Sequence, residues 1–234
     1  MGLIGNIYGM LGYAYQIRGK ADKALVLYEK AMAKGVSIPG CQMAYGVMLL
    51  RRGEFEQARQ VFGRLIIEYP HSDPVRNRAK VNQALAYWKL GDLDTALDML
   101  TEVHNKLRNS RTYSILGYLL IEAGDLEKAL EFNLEALDYD DTDEEILDNL
   151  GQIYYLKGDL DEALRYFGKA YEENPDQLST LYHLGCIYHD KGDKAKALEY
   201  LKKASARDIS ALSTVSRDRI EERLQALEHG QDEG

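Results

Sequence analysis

A chain of 234 residues with 45% hydrophobic and 29% charged residues and only four prolines has the make-up of a folded, soluble protein, which excludes long disordered or linker segments as its main content. The net charge of −9, without any dense run of Lys or Arg, excludes nucleic acid as a partner, because phosphate binding needs a basic surface that displaces counterions. The charge is uneven: residues 1–117 carry 16 Lys and Arg against 10 Asp and Glu, and residues 118–234 carry 13 against 28, so a weakly basic first half that would steer an acidic partner precedes a strongly acidic second half.

Residues 1–17 contain no charge, but Asn6, Gln16 and four glycines interrupt a run already too short to span a bilayer. No membrane insertion is expected, and the same residues fit a repeating pattern that begins here. Gly12, Gly46, Ala84, Gly117, Gly151 and Gly185 recur at intervals of 34, 38, 33, 34 and 34 residues, each inside a helical pattern. Gly19, Gly53, Gly91, Gly124, Gly158 and Gly192 follow them, each seven residues later, as helix-ending glycines. A fixed period in this range marks a stacked helical-repeat protein. The units fall at about 5–38, 39–72, 77–109, 110–143, 144–177 and 178–211. The extra residues before the third unit lie in the breaker-rich stretch from Tyr69 to Pro74, which predicts a longer loop and a joint between two three-repeat halves. Residues 213–229 read as a capping helix with Ile220, Leu224 and Leu227 on one side, and 230–234 as a disordered tail. The first unit has no such cover; its apolar end either pairs with something or continues into upstream residues, and the sequence leaves both open.

The fifth unit shows the logic most clearly. Leu147, Leu150, Gly151 and Tyr154 form an apolar stripe at helical spacing. Gly151 admits a neighbouring helix at close range, Gly158 closes the first helix, Asp159 caps the second, and Ala163, Phe167 and Ala170 place one ring between small residues before Pro175 stops the helix. Similar runs are Tyr8-Leu11-Gly12-Tyr15 with Ala24-Tyr28-Ala31, Tyr113-Leu116-Gly117 with Ala129-Ala136, and Leu181-Leu184-Gly185-Tyr188 with Ala197-Leu201-Ala204. The second and third units are looser, with Tyr45 and Leu49, and Gln83 and Leu100, departing from the pattern.

These six runs in register, over roughly residues 4–209, resemble the tetratricopeptide repeat family. The resemblance implies an all-α fold, a right-handed α-solenoid of stacked antiparallel helix pairs whose first helices line a concave groove. It also implies partner contacts at set distances from the first-series glycine. In the first unit these positions hold Met10, Tyr13 and Ile17, in the second Met43, Val47 and Leu50, and in the third Leu85 and Trp88; Tyr118, Ile121 and Tyr155 follow in the fourth and fifth. The remaining positions, among them Glu145, Asp148, Gln152, Ser179, Tyr182, Cys186 and His189, make the second half of the groove polar. Trp88, the only tryptophan, is the preferred anchor, since Trp and Tyr are enriched at energetic hot spots. Some family members hold a partner's terminal carboxylate with Lys, Asn and Arg. Here Asn82 and Asn149 match the Asn, but Gly9, Met43, Val81, Ser114, Asp148 and Tyr182 stand where Lys is needed, so that mode is disfavoured.

His183, Cys186 and His189 fall three apart on one helix without a fourth ligand, and Asp143 stands where a calcium loop needs glycine. No metal or cofactor is expected. Acidic residues opening a helix are explained by its dipole. No phosphate-cradling loop, zinc-protease pair or nucleophile elbow is present, so no catalytic residue is nominated. Cys41 and Cys186 lie four repeats apart, which favours a reduced, cytoplasmic setting. The expected function is a non-enzymatic scaffold or adaptor that binds a protein or peptide of unknown identity in the apolar half of the groove. A homodimer through the uncovered first repeat and a peptide-sensing regulatory module are the alternatives.

Overall fold

The computed structural model describes residues 2–229, and the side chains of residues 2–227. Regular structure among these is helical throughout: α1 (Leu3–Gln16), α2 (Ala21–Ala33), α3 (Pro39–Arg52), α4 (Phe55–Glu68), α5 (Asp73–Lys89), α6 (Leu93–Lys106), α7 (Ser110–Glu122), α8 (Leu126–Tyr139), α9 (Glu144–Leu156), α10 (Leu160–Glu173), α11 (Leu178–Asp190), α12 (Lys194–Ser205) and α13 (Arg217–His229). Two compact units result. The first holds α1–α6 together with Ser210–Leu212, and the second holds α7–α13. The expected tail, 230–234, lies outside the described residues.

Six helix pairs are built on one contact. A Cβ on Gly12 would lie 2.9 Å from the Tyr28 ring, on Gly46 2.6 Å from Phe62, on Gly151 2.8 Å from Phe167, and on Gly185 2.6 Å from Leu201. Each partner sits sixteen residues further on, in the second helix of the same pair. The glycine is required because the side chain opposite it enters the space a methyl group would fill. In the third pair Ala84 and Leu100 take these places, both fully buried. The second glycine series ends the first helices as expected: Gly19, Gly53, Gly91, Gly124, Gly158 and Gly192 all have φ between 70° and 88°, a conformation costly for other residues. Asp125, Asp159 and Asp193 then cap α8, α10 and α12, each accepting from the N–H three residues on. Lys20 and Glu54 hold the corresponding places before α2 and α4 and make no such bond.

Two sequence expectations are corrected. The residues inserted before the third pair do not make a longer loop: only residues 69–72 separate α4 from α5, and α5 is 17 residues long, against 13 or 14 for the other first helices. Pro74 falls in the first turn of α5, where its missing N–H has no intrahelical partner to lose. Nor is that stretch the joint. α4 and α5 pack together, with Gln83 donating to the Arg59 carbonyl at 3.0 Å, and the division falls after α6.

At the start of the first unit, Gly5, Gly9 and Gly12 all face inward, Gly5 towards the Val36 backbone and Gly9 against Cys41. Asn6 fastens this helix by accepting from the Ser37 N–H at 2.8 Å. With glycines taking the inner positions, Leu3, Ile4, Ile7, Met10, Leu11 and Ile17 are left exposed. At the end of the second unit, Ile220 and Leu227 of α13 are buried against α11 and α12, together with Val215. α13 begins four residues later than the window 213–229 read from the sequence.

Candidate functional site

In the first unit α3 lies between α1 and α5 and touches both, so their outward residues form one surface. Met10, Tyr13 and Ile17 are exposed on it, while Val47, Leu85 and Trp88 are half-buried. Lys89 Nζ lies 3.9 Å from the centre of the Trp88 ring, a close cation–π contact. Met43 and Leu50 are not surface residues. Leu50 is 0% exposed and Met43 5%, because both belong to the core of the unit, against which Leu212 also packs. Asn82 reaches Met43 Sδ at 3.5 Å from α5. Helical periodicity carries no information on how far neighbouring elements cover a residue.

In the second unit α9 lies between α7 and α11. Ile121 is buried there, at 7% exposure, whereas Tyr118 and Tyr155 are half-buried at the rim of a cavity of about 280 Å³. Glu122, Gln152, His183 and Arg219 line the same cavity. The Tyr118 hydroxyl donates to Glu122 at 2.7 Å and that of Tyr155 to Asp190 at 2.9 Å. Burial, then the hydrogen bond to a carboxylate, pushes both phenols well above their ordinary pKa.

Beneath them lies a buried polar network. Asp148 accepts from the Thr180 hydroxyl at 2.6 Å, the Ser179 hydroxyl at 2.8 Å and the Gln152 amide at 2.7 Å. The two hydroxyl bonds join α9 to α11, and all three give a buried carboxylate the donors it requires. Asn149 donates to the Ser114 carbonyl at 2.9 Å and Asn82 to the Arg78 carbonyl at 2.9 Å, so both asparagines considered for a carboxylate clamp are used in packing. His183 Nδ1 lies 2.9 Å from the Ser179 carbonyl. A carbonyl can only accept, so Nδ1 carries the proton and Nε2 is left as an acceptor. Burial holds this imidazole below its usual pKa and raises that of the buried Cys186 thiol. His183 is thus held in place by Ser179 and Cys186 is buried in α11, while Asp143 caps α9 by accepting from the Glu145 and Ile146 N–H groups.

The sequence pattern places Gln152 in the polar half of the groove, brings up His183 only as a metal ligand, and does not point to Arg219. No periodicity points to Arg219, because its place depends on how α13 packs against α11 and α12.

An all-helical array built from one repeated pair contact, with its distinctive residues on the outward faces of the first helices, defines a helical-repeat binding protein. Sequence profiles described as tetratricopeptide repeat match residues 10–73, 49–103, 81–144 and 143–210, and the chain belongs to that family. Among curated proteins it is similar to the BBSome complex member BBS4 of Bos taurus, 33% identical over 73 residues. That match covers 31% of this chain and only 14% of the relative. Among solved structures it is similar to a tetratricopeptide repeat protein from Parabacteroides merdae, with 18% identity, coverage of 96% of this chain and 84% of the other, and a TM-score of 0.81. A thermophilic protein of the family from Thermus thermophilus gives 24% identity, 79% and 99% coverage and a TM-score of 0.60. These structures share the fold. No described helix is long and apolar enough to cross a membrane.

Proposed function

We propose that the protein is a non-enzymatic scaffold whose first unit binds a peptide or helix of another protein across α1, α3 and α5. The observation that carries this reading is the large apolar surface left on α1 by its inward glycines, continuous through α3 with the half-buried Val47, Leu85 and Trp88. An exposed apolar face of this extent marks an interaction surface, and burial of Tyr13, Ile17 and Trp88 by a partner supplies the driving force. A photo-crosslinking residue at Tyr13 is expected to capture one defined partner that the same residue at the exposed Lys169 does not. Trp88→Ala then weakens that partner by tenfold or more, the size of a hot-spot residue, about 1.4 kcal/mol. Equal capture at both positions, or unchanged affinity of the variant, defeats this reading.

The same exposed face supports a second reading, a symmetric dimer through α1. The side chains of Leu3, Ile4, Ile7, Met10, Leu11 and Ile17 together expose on the order of 700 Å², close to the roughly 800 Å² that each partner of a stable interface buries. In that case the Tyr13 crosslink joins two copies, and light scattering gives twice the monomer mass, lost on Ile7→Lys.

A further inference from the structure

The cavity of the second unit is not built from repeat helices alone: residues of α7, α9 and α11 line it together with Arg219 of α13. Its donors and acceptors are unequally used. The tyrosine hydroxyls give their protons to Glu122 and Asp190, and the Gln152 amide gives its own to Asp148 and Ser179. Arg219 lays its guanidinium 5.1 Å from the centre of the Tyr182 ring and pairs with no carboxylate among the described residues, although acids outnumber bases by 28 to 13 in residues 118–234. Five N–H donors in a planar fork, held over a ring at the edge of a cavity, match a carboxylate. His183 offers the complementary group: it is nine-tenths buried, lines the cavity, and has Nε2 free to accept because Nδ1 is committed to Ser179.

We propose that this cavity binds an acidic segment of another polypeptide, with a carboxylate on Arg219, a main-chain N–H on His183 Nε2, and adjoining apolar atoms against Tyr118 and Tyr155. About 280 Å³ lies just under the range of small-molecule sites and accommodates one side chain with its flanking main chain. Acids of the unit farther than about 8 Å are screened at physiological ionic strength, so the local opposition comes from Glu122, which lines the same cavity, is held by the Tyr118 hydroxyl and limits the affinity for a carboxylate. The residues involved are separate from those of the surface on α1, α3 and α5, so either site can fail without the other.

The test uses the full chain and an array of hexapeptides, neutral except for one Asp, Glu, Lys or Arg at a varied position. Each is made as a C-terminal amide and as a free acid. Peptides with an acidic side chain, or with the free terminus, are expected to bind at least tenfold more tightly than the neutral amide; the amide series identifies a side chain as the source of the carboxylate, and the neutral free acid identifies a chain end. Arg219→Gln is expected to abolish the preference, Glu122→Gln to strengthen acidic peptides severalfold by removing a like charge, and Lys169→Ala, at an exposed position outside both surfaces, to leave the preference unchanged. Arg219 is exposed, so its variant folds, as circular dichroism verifies. Equal binding of neutral and acidic peptides, a preference for Lys or Arg, or an acidic preference that survives Arg219→Gln overturns the proposal.

Discussion

The fourth and fifth helix pairs, α7–α8 and α9–α10, share one geometry and differ in what fills it. In α9–α10 the ring of Phe167 occupies the space opposite Gly151; in α7–α8 the same position holds Asn133, equally buried, against Gly117. Asn133 donates to the Ala129 carbonyl at 2.8 Å and the Gly117 carbonyl at 3.3 Å, but its own Oδ1 has no protein partner. The two pairs therefore teach that the turn glycine and the close helix approach define the repeat, while the buried side chain sets how firmly it is held. A buried acceptor without a donor is destabilising by about 1–3 kcal/mol, and a polar amide contributes none of the apolar burial of a ring.

Exchange of these residues breaks or sharpens the contrast. The largest effect is expected from Phe167→Asn, which repeats the fourth pair's arrangement in the fifth and removes the ring from the cluster it forms with Ala163, Leu184 and Ile187: a loss of about 3–5 kcal/mol, read from the urea midpoint. A loss below about 1 kcal/mol would mean that Phe167 is not what holds this pair. Next comes Asn133→Leu, which copies the residue type found at Leu201 in the sixth pair. It is expected to gain about 1–2 kcal/mol by removing the unpaired carbonyl, seen as slower hydrogen exchange in α7 and α8 with α1–α4 unchanged; a decrease in protection there sinks the explanation. The smallest concerns the caps. Glu54→Asp places before α4 the residue that caps α8, α10 and α12, and a gain of about 0.5–1 kcal/mol is expected in a thermal melt.

What the sequence made legible was local. The two glycine series, the Asp159 cap and the apolar side of α13 each depend on residues within one or two turns, and periodicity finds them. The 17-residue α5 was misread because Tyr69-Pro70-His71-Ser72-Asp73-Pro74 looks like a loop, although proline is harmless in a first turn. Met43, Leu50 and Ile121 fall at the repeat's contact positions yet are buried, because burial depends on distant residues, such as Leu212 against the core that holds Met43 and Leu50. Arg219 was invisible for the same reason: it belongs to no repeat, and only the docking of α13 brings it beside Tyr182. Gly5 and Gly9 were read only as interruptions, when their spacing of four and three residues with Gly12 makes the three one inner face.

The positive-φ glycines carry a consequence of their own. Around Gly19, Gly91, Gly124, Gly158 and Gly192 there is nothing within 4 Å of where a Cβ would stand, so volume does not exclude a side chain at these turns. Handedness does. A mirror-image alanine introduced by chemical synthesis fits the same φ, touches nothing, and restricts only the unfolded chain, which makes these turns places where the protein can be stiffened without altering any face it presents.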